Sequence, residues 1–278
     1  MKIFAWATDI HLDCTNDASE RVKSLLKSAG DADCLLVSGD ISVAPMLAKH
    51  LQLLDSLAER PVYFVLGNHD FYFSDISTVR RDVASVCRSS SFLCYLSHIP
   101  FVKIEKNTAL VGHDGWYDAG NGSVEHSQLI MNDWIKIGDY SPACRNTPQG
   151  IEISKLEIVN IARSICQVGV KHIAEGIKAA AREKNETIVV VTHVPPFMES
   201  YVPNEKKPMR VQDALPWYTC RMMGDMLLRA AKSFPEIKFK VFSGHVHSQY
   251  KGNILPNLEV RVGKSEYGTP QLAGIIPI

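Results

Sequence analysis

Six short apolar runs constrain this chain more than anything else in it. They are KIFAWATDIH, DCLLVSGD, PVYFVLGNHD, TALVGHDG, TIVVVTHVPP and FKVFSGHVH, and each breaks off at glycine or polar residues. A short run rich in branched and aromatic residues, without polar alternation, reads as a strand buried on both faces. Helical spacings separate the early runs. Val22, Leu25, Leu26 and Ala29 mark a helix over 17–29, with Asn16 or Asp17 as its N-cap. Leu47, Leu51, Leu54 and Ala58 mark another over 44–59, and a third spans 75–88. Strands alternating with helices require a sheet covered on both faces.

The carboxyl-terminal runs, from KVFSGHVH through LEVRVG to QLAGIIPI, have no helical stretch between them and are expected to pair antiparallel. A mixed-sheet α/β sandwich fits both halves. Residues 120–185 interrupt the rhythm with a loop-rich piece and then one long helical pattern, with a break expected near Gly169. A second irregular stretch precedes a helix over 220–234, whose Met222, Met223 and Met226 read as core packing. The irregular pieces fall between runs that carry chemistry. Residues 1–278 therefore read as a single domain with lid-like insertions at about 114–185 and 195–220.

Composition gives no support to some functions. The formal net charge is zero and the pI about 7.1, so there is no basic footprint for nucleic acid. The first apolar run meets Asp9 too early for a signal peptide, and no window approaches the ~18 apolar residues of a membrane span. The seven cysteines, an odd number without a C-x-x-C pair, read as reduced thiols in a cytoplasmic protein.

Chemistry concentrates where the runs stop. Asp9 and His11, then Gly39-Asp40, Gly67-Asn68-His69-Asp70, His193, and His245 with His247 all sit at expected strand ends. In an α/β sheet the carboxyl ends of the strands share one edge, where ligands bind. The i, i+2 pairs Asp9/His11 and His245/His247 point to one side of an extended chain. Carboxylate, imidazole and one amide oxygen, without thiolate, suit manganese, iron or zinc. Seven such groups exceed one tetrahedral ion and suit two ions about 3.5–4 Å apart sharing a carboxylate. Two divalent ions would carry more positive charge than Asp9 and Asp40 return. Such a site attracts an anion and acidifies a bridging water. A phosphate ester is the natural substrate.

The order D-x-H, G-D, G-N-H-D, H and G-H-x-H resembles the calcineurin-like metallophosphoesterase superfamily, and the motifs span residues 9 to 247. The resemblance implies a four-layer fold, a double β-sheet sandwich flanked by helices, with a dinuclear metal centre. By motif position, it implies Asp9, His11 and His247 on one ion, Asn68, His193 and His245 on the other, and Asp40 bridging. It further implies that a metal-bridging hydroxide attacks phosphorus in line. His69 then acts as general acid or charge stabiliser toward the leaving group, with Asp70 orienting its ring. The expected partner is a small-molecule phosphoester, a monoester or a diester, with neither membrane nor nucleic acid indicated.

Departures narrow the branch. The sequence after Asp40 is Ile41-Ser42-Val43-Ala44-Pro45, so the phosphate-gripping arginine of the serine/threonine protein phosphatases, in G-D-x-x-D-R-G, is missing. Val43 stands where purple acid phosphatases place a tyrosine ligand, and His11 is present where they lack it. The pattern is similar to the bacterial-type branch of phosphatases and phosphodiesterases. In ALVGHDGWYD, His113, Asp114, Trp116 and Tyr117 are candidates for substrate contact, against the alternative of a turn packed by aromatics. Trp116 or Tyr117 stacking a base would favour a nucleotide-specific phosphodiesterase or pyrophosphatase. A non-catalytic scaffold of the same fold is a further alternative, disfavoured by the complete motif set. His50, His98, His126 and His172 read as structural or exposed. Arg261, Lys264, Lys206, Lys207 and Arg210 read as ordinary surface charges.

Overall fold

In β1 (Ile3–Ala7), Phe4 and Trp6 join one apolar cluster while Ala5 and Ala7 join another. This two-residue period distributes the whole core. The protein is described by a computed structural model covering residues 2–203 and 209–278. After β1 come α1 (Ala18–Ser28), β2 (Cys34–Ser38), α2 (Ala44–Leu57), β3 (Val62–Val65), α3 (Ile76–Arg88) and β4 (Leu93–Tyr95). Next are β5 (Val102–Glu105), β6 (Thr108–Gly112), α4 (Asn132–Lys136), the hairpin β7 (Cys144–Thr147) and β8 (Gly150–Ile153), α5 (Lys155–Arg182) and β9 (Thr187–Val191). The chain ends with α6 (Val211–Tyr218), α7 (Arg221–Ser233), β10 (Lys238–Ser243), β11 (Tyr250–Leu255), β12 (Leu258–Val262) and β13 (Leu272–Pro277).

One sheet runs β13-β1-β2-β3-β4 and the other β11-β12-β10-β9-β6-β5. Phe4, Trp6, Leu36 and Val65 from the first meet Leu110, Val189, Val191 and Phe242 from the second. Trp6 and Phe242 close this inner layer edge to face, with ring centres 5.0 Å apart. Such geometry adds about 1 kcal/mol beyond the area buried. Ala5, Ala7, Leu35, Val37 and Phe64 instead share a cluster with Val22 and Leu25 of α1, Leu51 and Leu54 of α2, and Val79 and Val83 of α3. Helices α5 and α7 cover the second sheet. The result is the double β-sheet sandwich flanked by helices.

Helix boundaries follow local chemistry. The Asp17 carboxylate caps α1 by accepting from the Glu20 N–H at 3.0 Å, and Pro45 occupies the first turn of α2.

Three details differ from the sequence reading. The β10 and β12 strands pair in parallel, because β11 supplies the return between them, and β13 crosses to the other sheet to pair antiparallel with β1. Helix α5 runs without a break through Gly169, where a β-carbon would press on the His113 ring. Much of the 114–185 insertion is thus a packed layer, since α5 contributes Ile158, Ala162, Ile173 and Ile177 to the core. Among the described residues, no helix is long and apolar enough to cross a membrane.

Candidate metal centre

The parallel strands β1, β2, β3, β9 and β10 end at one edge of the sandwich, and each gives way at once to a chemistry-bearing residue. Backbone bonds lock these ends together. Asp9 N–H donates to Gly39 O at 2.9 Å, His11 N–H to Asp40 O at 3.0 Å, and Gly244 N–H to His193 O at 2.9 Å. His245 N–H donates to Asp9 Oδ1 at 2.9 Å, which ties the second sheet to the first.

Asp9, His11, Asp40, His245 and His247 all have positive φ, between 39° and 69°. Side chains other than glycine rarely adopt that region, and its cost is tolerated where function requires it. Two glycines make the crowding feasible. A β-carbon on Gly39, at φ 97°, would overlap the His193 ring, and one on Gly67 would overlap the Asp40 carboxylate.

Two clusters result. In the first, Asp9, His11, Asp40 and His247 each offer a ligand atom within 4.8 Å of the others. His11 Nε2 lies 3.3 Å from His247 Nε2, and His247 Nε2 lies 3.3 Å from Asp9 Oδ1. In the second, Asn68 Oδ1 is 3.1 Å from His193 Nε2 and 3.0 Å from His245 Nδ1. Asp40 faces both, with Oδ1 3.4 Å from His193 Nε2 and Oδ2 3.7 Å from His11 Nε2.

Hydrogen-bond accounting shows why the second cluster fits a cation. His193 Nδ1 lies 2.8 Å from Ser38 O, and His245 Nε2 lies 3.1 Å from Trp217 O. Carbonyls only accept, so each ring places its proton there and turns its other nitrogen inward as a lone pair. Asn68 Nδ2 donates to Asp133 Oδ1 at 2.8 Å, which aims the amide oxygen inward as well. Asp40 Oδ1, Asn68 Oδ1 and the two ring nitrogens are then acceptors facing acceptors. Either a cation or an extra proton must reconcile them.

The electrostatics agree. Burial opposes ionisation of Asp9, yet the charges of His247 and His193 hold it at about 2. Burial likewise opposes Asp40, which His193 and His69 keep well below the usual carboxylate range. Burial alone would strip His193 of its proton, but Asp40 raises it to about 10. Burial lowers both His11 and His245 to about 4. Two buried carboxylates thus hold an ionised, cation-seeking pocket.

The profile of the calcineurin-like phosphoesterases matches residues 3–249. The chain belongs to that family. No curated protein sequence matches it. Among solved structures, it is similar to a phosphopantetheinyl hydrolase from Mycobacterium tuberculosis. That pair has a TM-score of 0.65 and 15% identity, covering 96% of this chain and 90% of that one. It is also similar to a dimetal phosphatase from Danio rerio, with a TM-score of 0.55 and 13% identity, covering 95% of this chain and 87% of that one. At such identities the likeness speaks for the fold.

Other candidates in this phosphoesterase find different places. His69 lies at the mouth, its N–H on Asp40 Oδ1 at 2.9 Å and its ring 4.7 Å from His11 and 4.3 Å from Tyr72. Asp70 does not orient that ring. Its Oδ1 accepts from Ile41 and Ser42 N–H and its Oδ2 from Gly67 N–H, at 2.8–2.9 Å. It therefore splices the loop after β2 to the loop after β3. Burial and the Asp40 charge push its carboxyl well above the usual range.

The placements of His113, Asp114, Trp116 and Tyr117 correct the expected substrate contacts. All are buried and their polar atoms are engaged in the interior. His113 Nδ1 accepts from Gly115 N–H at 3.0 Å. Asp114 accepts from Leu66 N–H, Arg80, Tyr95 and Ser97. Trp116 Nε1 donates to Tyr140 at 2.7 Å, and Tyr117 accepts from Trp134 at 3.2 Å. Neither ring has a free face for a base. His50 meets Ser42, Arg261 pairs with Glu259, and Arg210 pairs with Asp213 at 2.7 Å. Lys206 and Lys207 lie outside the described residues.

The sequence reading passed over Tyr72, Asp133 and Tyr267. Tyr72 OH and Asn68 Nδ2 share Asp133 Oδ1, and the Tyr267 ring lies 4.3 Å from His11 and 4.9 Å from His247. An acid beside Trp134 or a tyrosine in a glycine-rich turn has no motif of its own. Tyr72, two residues past Asp70, was within reach.

Proposed function

We propose that this phosphoesterase hydrolyses a small phosphomonoester or phosphodiester at a dinuclear centre. Asp9, His11 and His247 would hold one ion, Asn68, His193 and His245 the other, and Asp40 both. The observation that carries the reading is Asp40, whose two oxygens face His11 and His193 separately. When bound, two divalent ions supply Lewis-acid charge for the phosphoryl oxygens and lower the pKa of a coordinated water. Manganese, iron or zinc suits the oxygen and imidazole donors.

The chain's own residues do the rest. The strained backbone at Asp9, His11, Asp40, His245 and His247 fixes the donors before substrate arrives. Asp133 holds the amide of Asn68 with its oxygen inward. His69, fastened through its N–H to Asp40, carries a ring proton to the leaving oxygen. Substrate in this reading is a small molecule in the cytoplasm, the compartment suited to the seven cysteines.

The nucleotide-specific reading loses its support with the burial of Trp116 and Tyr117. The test is turnover of p-nitrophenyl phosphate and bis-p-nitrophenyl phosphate by protein reconstituted with manganese, iron or zinc. Hydrolysis that disappears on chelation and returns with metal is expected. Metal-loaded, folded protein that cleaves no phosphoester would overturn the reading.

A further inference from the structure

This inference deepens the phosphoesterase reading and rests on it. Lys136, at the end of α4, holds its ammonium 4.9 Å from the centre of the Tyr72 ring and 5.7 Å from that of Phe73. Among the described residues, no carboxylate lies within ion-pair reach of it. Other partly buried cations are matched, as Arg80 is by Asp114 at 2.9 Å and Arg261 by Glu259. Among the described residues, Lys136 has aromatic faces but no hydrogen-bond acceptor for its three N–H donors.

Its position relates it to the chemistry. The Tyr72 ring lies 4.3 Å from the His69 ring, which puts the ammonium within about 9 Å of that imidazole. The backbone around it is rigid and strained. Phe73, a bulky residue, has φ 71° and is 63% exposed, a conformation that side chains other than glycine rarely adopt. Phe73 N–H donates to Lys136 O at 2.7 Å, and Gly138 N–H donates to Ser74 O at 3.0 Å. The segment that bears the cation thus pins the strained corner next to His69. A groove of about 770 Å³ opens beside it, lined by Phe73, Asp75, Trp134, Ile135, Lys136 and Ile151 among others. It offers room for a substituent beside the ammonium.

We propose that Lys136 binds an anionic substituent on the leaving group of the substrate. The Tyr72 ring neighbours both Lys136 and His69, the residue assigned to the leaving oxygen, so the cation belongs to the leaving side of the ester. The chain thereby has a cationic grip, though not on the sequence position that holds one in the protein phosphatases.

The experiment measures calorimetric binding of phenylphosphonate and 3-carboxyphenylphosphonate to manganese-loaded wild type, Lys136→Met and Lys136→Arg. Wild type should bind the carboxylated compound about fivefold more tightly, the equivalent of roughly 1 kcal/mol. In Lys136→Met the ratio should fall to about one, and in Lys136→Arg it should persist. A wild type without preference, or a preference that survives in Lys136→Met, overturns the proposal. Turnover of p-nitrophenyl phosphate is followed in parallel. Turnover without the preference sinks the role of Lys136 alone, whereas preference without turnover sinks the hydrolase reading alone.

Discussion

Nε2 of His11 faces Nε2 of His247 across 3.3 Å. Burial keeps His11 neutral, with its value lowered to about 4, whereas Asp9 raises His247 against the effect of burial. One proton therefore serves two rings and a carboxylate, where a divalent ion would satisfy all of them. Metal binding to the native state alone should stabilise the fold by about 2.7 kcal/mol at a hundredfold excess over Kd. The expected reading is a Tm higher by about 5–10 °C with manganese than after chelation. Scanning calorimetry showing equal Tm values would refute the metal centre.

His69 touches Asp40 through its backbone and leaves its ring at the mouth of the site. His69→Ala should lower kcat by about 10²–10⁴-fold while metal content and Tm stay near those of the wild type. An unchanged kcat would remove His69 from the reaction.

Asp70 should behave quite differently. Asp70→Ala leaves the N–H groups of Ile41, Ser42 and Gly67 buried without their acceptor. Each such loss costs about 1–3 kcal/mol, so urea unfolding should register at least about 3 kcal/mol. A variant as stable as wild type but slow would restore the idea that Asp70 orients His69.

Asp133 supports the centre without belonging to it. Asp133→Ala frees the Asn68 amide to turn and should weaken metal affinity by about 10–100-fold. Titration with a competing chelator reads this directly. Unaltered affinity would show that the Asn68 orientation does not depend on Asp133.

His113 makes stability pH-dependent. Burial lowers it to about 3, and its Nδ1 accepts a hydrogen bond that protonation would break. Its contribution is full above the unfolded value near 6.5 and is lost as pH falls toward 3. Between pH 7.5 and 5 the loss is about 2 kcal/mol, at 1.4 kcal/mol per unit below 6.5. His113→Gln should be less acid-sensitive by that amount in urea melts at the two pH values. Parallel pH dependences for variant and wild type would contradict the assignment.

The ligand-type residues were legible because each follows its own strand within a few positions, so local pattern and sheet topology suffice to gather them. The roles of Asp70 and Asp114 were not. A carboxylate in a motif looks catalytic until its backbone partners are known, and those partners lie 28 or more residues away for Ile41, Ser42 and Leu66. Lys136 and Asp133 were hidden because a five-residue helix in an insertion carries no periodic signal. The parallel pairing of β10 with β12 was missed because strands adjacent in sequence need not be adjacent in the sheet.

His11 and His247 meet across 236 residues of chain. During synthesis from the amino terminus, all of the intervening chain must emerge before the first of them can find the second. No shorter amino-terminal piece can assemble the full set of donors. A nascent or truncated chain therefore stays unable to capture metal in this arrangement, and the cofactor should arrive only after β10 has docked.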